Sequence, residues 1–331
     1  MPIKRQIVFE VLLLALCVYA WQMAEAYENV AFAVLFGISS LFVSTLILRK
    51  TKPPFFKAFA LLTLAFIFFL NSWWRVAIFD DRVIAPFLIL LIAPTLYAVV
   101  RRENPMWTLI ASFVPAGVAA GAINLTVVLT DLSTAEEAVA SPVVYSPIAL
   151  GLILSYACRL LAPPHEYKPE TTGVIGFFIC FLVTGFSLTY YLVYFVEGAL
   201  ILLNTYAILS LYAVILCCFA FNDKAQLSVG EVMAQAGLFA CLLGAVSLVT
   251  LYTAAVATND AKLIGPVMAS PQILMLYGAM TIIAASACGV RAPTDRELIT
   301  RDWHITEAYV FISLVVFPPL TLLEQLNSQL G

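Results

Sequence analysis

Charge is what this chain has least of. Asp, Glu, Lys and Arg together make up 11% of its 331 residues, and there are only two histidines. So few charges cannot clothe a water-facing surface, and apolar residues account for 63% with a mean hydropathy of +0.98. No soluble domain hides that much apolar surface, so the lipid bilayer must be the solvent. There is no basic tract, and the net charge is −3, which excludes nucleic acid as a partner. The seven cysteines form no CxxC pair and lie in or beside apolar runs, where they serve as small packing residues.

Catalytic signatures are missing as well. The chain has no HExxH, GxSxG, P-loop or G-x-G-x-x-G, so no residue is assigned a catalytic role and the chain does not read as an enzyme. His165 and His304 stand in separate connectors, far short of the roughly four ligands a structural metal site needs. No metal and no cofactor are expected, haem included, because neither histidine sits inside a span. Asp80-Asp81 and Glu136-Glu137 are read as solvated loop charge. Connectors such as Ala162–Thr171 and Gly289–Asp302 are too short to fold by themselves, so residues 1–331 form one integral membrane domain.

What is present is rhythm. Apolar stretches recur at 7–26, 29–48, 56–74, 83–100, 107–130, 143–160, 172–196, 198–220, 231–256, 268–288 and 304–320. Barrel strands would alternate in polarity over about ten residues, and stretches such as Leu61–Leu70 do not. The predicted fold is therefore an all-α polytopic bundle of ten or eleven spans. Ten is the count if Pro318-Pro319 ends the last helix and Leu320–Leu330 lies flat on the surface. Lys4 and Arg5 before an apolar run, then Ala24-Glu25-Ala26, imitate a cleavable signal, but the run is long enough to be retained as an anchor.

Basic residues set the orientation. With the N-terminus in the cytoplasm, 14 of the 17 Lys and Arg fall in inside loops and only Arg75, Arg82 and Lys262 outside. This places the N-terminus inside and the C-terminus outside, and the compact loops point to a cytoplasmic membrane. Trp21, Trp73, Trp74, Trp107 and Trp303 all lie toward expected interfaces, where an amphipathic ring is most comfortable.

A duplication is also expected. Pro142-Val143-Val144-Tyr145-Ser146-Pro147 leads into the sixth span, and Pro266-Val267-Met268-Ala269-Ser270-Pro271 leads into the tenth, 124 positions later. Leu96–Val99 in the fourth span recurs as Leu211–Val214 in the eighth. Spans 3–6 (56–160) and 7–10 (172–288) would then be parallel four-helix repeats, with spans 1, 2 and 11 peripheral. Coincidence in a biased composition is the competing explanation.

Carboxylates such as Glu10, Glu25, Glu231 and Glu307 fall near span ends, so an obligatory proton relay has no support. The fifth span is the most unusual: Ser112, Pro115, Gly117, Gly121, Asn124 and Thr126 interrupt an apolar helix. Pro115 removes one backbone hydrogen bond and exposes a carbonyl that a solute or ion could use. Its repeat partner, the ninth span, carries Gly237, Gly244, Ser247 and Thr250. One reading lines a solute pathway with Ser112, Pro115, Asn124, Thr126, Ser247 and Thr250, with Glu197 in an outer vestibule. The other assigns Gly117, Gly121, Gly237 and Gly244 to helix packing. The expected function is thus a multi-pass permease or channel-like transporter of a small solute. The alternatives are a structural subunit, associating with copies of itself or with other membrane subunits, and an intramembrane enzyme using Asp80, Asp81 or the His304/Glu307 pair.

Overall fold

In lipid every backbone N–H and C=O of a spanning segment must be satisfied within the protein, which leaves long apolar runs little choice but helix. The computed structural model describes residues 81–101, 105–131, 146–162, 174–195, 204–222, 228–257, 261–287 and 297–309. The first three expected spans, Glu197 and the end of the last span lie outside these residues. Among them the helices are α1 (Asp81–Val100), α2 (Pro105–Asp131), α3 (Ser146–Leu161), α4 (Val174–Phe195), α5 (Thr205–Ala220), α6 (Val229–Ala257), α7 (Ala261–Ala287) and α8 (297–309). No strand occurs among the described residues. The molecule is an all-α bundle in which α1, α2, α4, α6 and α7 are long and apolar enough to cross a membrane; α3 and α5 are shorter apolar helices.

Helix ends follow local chemistry. Pro105 opens α2, where a missing N–H costs nothing. Ser228 and Glu231 form a reciprocal capping box at the start of α6, with Ser228 N–H donating to Glu231 Oε2 at 2.7 Å and Glu231 N–H to Ser228 Oγ at 3.3 Å. The eighth span was expected from 198, yet α5 starts at Thr205. Asn204 caps it there, its Oδ1 accepting from Ala207 N–H at 3.0 Å. The tenth was expected from 268, but α7 begins at Ala261 and carries Pro266 in its second turn and Pro271 further in. The eleventh was expected from 304, and α8 begins at 297.

α7 is the hub. It packs against α6 and α2 along its length, and also against α1, α4 and α5. Every side chain from Pro271 to Ala285 is buried, and so is every one from Ile110 to Thr126 on α2. The peripheral helices instead present large apolar side chains outward, among them Ile175, Phe186 and Val246. In water that surface would be a liability; against lipid chains it is the matching surface.

Two antiparallel pairs build the interior, α2 with α3 and α6 with α7, and both rely on glycine. A Cβ at Gly117 would stand 2.5 Å from the Pro147 carbonyl oxygen, and one at Gly151 would stand 2.4 Å from that of Phe113. On the other pair, a Cβ at Gly244 would meet the Pro271 oxygen at 2.7 Å and one at Gly278 the Gly237 oxygen at 2.6 Å. The four carbonyls correspond: Pro147 and Pro271 are 124 positions apart, as are Phe113 and Gly237. Two helix starts keep the same interval, from Asp81 to Thr205 and from Pro105 to Val229, whereas those of α3 and α7, Ser146 and Ala261, are 115 apart. The correspondence does not extend to the contact between the halves, because α2 packs on α7 whereas α6 and α3 are not a packed pair.

Candidate functional site

Thr126 of α2 meets α7, and α2 packs on α7 rather than on α6. Thr126 Oγ1 bonds back to the Ala122 carbonyl at 2.7 Å and lies 3.2 Å from Oε1 of Gln272 on α7. A hydroxyl has a single proton, so it cannot donate well to both oxygens. The consistent arrangement has Thr126 donating to Ala122 while the Gln272 amide, turned over, donates to Thr126. Gln272 is 1% exposed, and in the recorded orientation its Nε2 has no hydrogen-bond partner; turned over, that nitrogen reaches Thr126 with only one of its two N–H groups. Such a group in a water-poor interior is costly and invites a guest that can complete it. Asn124, two residues before Thr126 on α2, is also buried. Nearer the start of α2, Ser112 is fully buried with its hydroxyl unpartnered.

Pro115 has a different consequence from the one expected. Lacking an N–H, it cannot serve the carbonyl four residues earlier, that of Ala111. The freed oxygen is taken up by the protein itself: Arg301 Nη2, from α8, donates to it at 2.8 Å. The same guanidinium donates to Asp302 Oδ1 from Nη2 at 2.9 Å and from Nε at 3.3 Å. Arg159, at the end of α3, donates to Asp302 Oδ2. Two guanidiniums thus converge on one carboxylate that is 7% exposed, and all three side chains are largely buried.

The two halves of the expected pathway do not come together. α7 packs on both α2 and α6, and Ser247 and Thr250 of α6 are half-buried and exposed, respectively. Thr250 Oγ1 lies 3.5 Å from the Val246 carbonyl of its own helix. Gly117, Gly237 and Gly244 all spend their small surfaces on contacts within the chain, and Gly121 is buried in α2. A stripe of Gly237, Cys241 and Gly244 on α6 faces Pro271, Met275, Gly278 and Ile282 on α7, with Cys241 Sγ 3.5 Å from the Met275 carbonyl.

The groups weighed for an enzyme are dispersed. Asp81 is exposed at the start of α1. His304 Nδ1 and Glu307 Oε2 are 3.7 Å apart on the exposed side of α8, and among the described residues no three metal-binding side chains gather.

Gln272 and the Arg159–Asp302–Arg301 network were not singled out from the sequence. A glutamine within Pro271–Met280 is visible there as an amide in an apolar run. Arg301 and Asp302 read as loop charge because hydropathy gives no sign that their helix starts before them. No protein-family model, curated protein or solved structure matches this chain.

Proposed function

We propose that the chain is a multi-pass permease or channel-like transporter of a small solute, and that the α2–α7 seam carries the selective contact. The observation behind this reading is the buried, half-satisfied Gln272 amide beside Thr126. A merely structural interior has no reason to retain it. The groups along the seam are hydroxyls and amides, chemistry suited to an uncharged solute that both donates and accepts hydrogen bonds. Ser112 and Asn124 would extend the contact along α2, and Pro115 shapes the helix between them.

The 124-residue correspondence of helix starts and close approaches supports an origin in tandem duplication. Only the second copy carries the amide: the position 124 before Gln272 is Ile148. The basic-residue asymmetry favours the N-terminus inside and the C-terminus outside, and the short connectors fit a cytoplasmic membrane. The alternative of an assembly subunit drew on glycine faces offered to partners, and in this fold Gly117, Gly237 and Gly244 serve contacts inside the chain.

The test is flux. The purified chain in liposomes is exposed to gradients of urea, glycerol and small amides while vesicle volume is followed by stopped-flow light scattering. Re-swelling faster than in protein-free vesicles for at least one solute, and slowed by Gln272→Leu, is the expected result. A chain that accelerates none of them, or a Gln272→Leu variant with full activity, refutes the reading.

A further inference from the structure

The first copy of the repeat has a proline break that the second lacks, since the position 124 after Pro115 is Phe239, an exposed residue of an intact helix. The break is covered by a segment from beyond both copies. α8 reaches it in two ways. Leu298 packs with Ile110 and Ala111 of α2, and Arg301 fills the hydrogen-bonding role that Pro115 abolishes at the Ala111 carbonyl. Ser155 of α3 adds a bond to the neighbouring Ile110 carbonyl at 3.3 Å. The far half of α8 is held otherwise: Ile305, Ala308 and Tyr309 belong to the main apolar core, and Tyr309 is fully buried.

α8 is thus anchored by apolar burial alone at one end and, at the other, by Leu298 together with directed polar bonds. Apolar burial weakens gradually with separation, but a guanidinium fork on one carbonyl and one carboxylate is either made or lost. We propose that residues 297–304 are a releasable strap over the start of α2: Arg301 stands in for the N–H that Pro115 lacks, and its withdrawal frees the turns of α2 that precede the proline. The ion pair with Asp302, shared with Arg159, sets the docked position, and residues 305–309 act as the hinge. The proposal holds whatever the seam between α2 and α7 conducts.

The test is hydrogen–deuterium exchange read by mass spectrometry on the full chain in mild detergent, following residues 105–114 and 297–304. In Arg301→Gln both segments are expected to exchange roughly ten- to a hundredfold faster, as loss of a charge-assisted hydrogen bond implies. In Arg301→Gln combined with Pro115→Ala, the Ala111 carbonyl regains an intrahelical donor. Residues 105–114 are then expected to return to wild-type protection while 297–304 stays fast. Unchanged exchange over 105–114 in the single variant overturns the proposal, as does a double variant in which that segment remains as labile as in the single. Should Arg301→Gln not fold, the double variant must fold if the strap works as described, and its failure also overturns the proposal.

Discussion

Replacing Gly237 by alanine tests whether the α6–α7 contact is as close as the fold requires. The added methyl would stand 2.5 Å from the Gly278 oxygen and 2.7 Å from Ile282 Cγ1, where ordinary contact begins at 3.4 Å. The difference, 3.4 less 2.5, means the helices must part by about 0.9 Å at this point. Neither obstacle is soft, because one is backbone and the other a β-branched side chain on a buried helix. Such overpacking costs about 1–3 kcal/mol, while glycine to alanine in a helix returns about 0.5–1 kcal/mol. A net loss of roughly 1–2 kcal/mol follows, and Gly278→Ala should match it because the approach is reciprocal. Gly185→Ala is the control: its nearest neighbour is the Met280 methyl at 3.7 Å, so only the helix-propensity gain remains. Unfolding in mixed micelles of increasing SDS fraction, followed by circular dichroism, ranks the three. If Gly237→Ala is no less stable than Gly185→Ala, the close approach is not what holds this pair together.

Two further substitutions probe the polar groups. Gln272→Leu removes a buried amide with an unmet bond and should stabilise the chain by about 1–3 kcal/mol in the same unfolding assay while slowing flux. A loss of stability would mean that the amide is fully satisfied. Asp302→Asn strips two largely buried guanidiniums of their shared counter-charge and should cost about 3 kcal/mol or more. Restoring part of that loss by adding Arg159→Met would show that the penalty is uncompensated charge, and an additive result would refute it.

Much of the architecture could be read from hydropathy because lipid imposes one solution on a long apolar run. The expected spans 107–130, 172–196 and 231–256 match α2, α4 and α6 to within two residues at either end. The starts that differ have local causes. Asn204 was absorbed into an apolar stretch although its side chain caps a helix, and Pro266 was read as an entry loop although it lies inside α7, where a membrane helix can accommodate a proline whose freed carbonyl finds another donor. The 297–309 segment, Glu-Leu-Ile-Thr-Arg-Asp-Trp-His-Ile-Thr-Glu-Ala-Tyr, is too polar to register as a span, yet Leu298, Asp302, Ile305 and Tyr309 fall on one inward face. Ser112, Asn124 and Thr126 could be picked out because polarity is conspicuous in a greasy helix. What faces them could not, since a helix apolar all round gives no periodic clue to its neighbours. Only the fold shows that α7, and not α6, the partner expected from the sequence, supplies the opposing amide.

The hub of this bundle is made after every one of the helices α1, α2, α4, α5 and α6 that it joins. Thr126 and Gln272 are separated by 146 residues, so at about 5–20 residues per second the ribosome needs roughly 7–30 s to supply the partner after the hydroxyl has emerged. By the end of that interval α1, α2, α4, α5 and α6 have all been made without the helix that joins them. Ser112, Asn124 and Thr126 must wait in lipid or against provisional neighbours. Assembly of the native interior is therefore post-insertional, and a nascent chain halted anywhere before α7 presents these polar residues to whatever surveys the membrane for unfinished proteins.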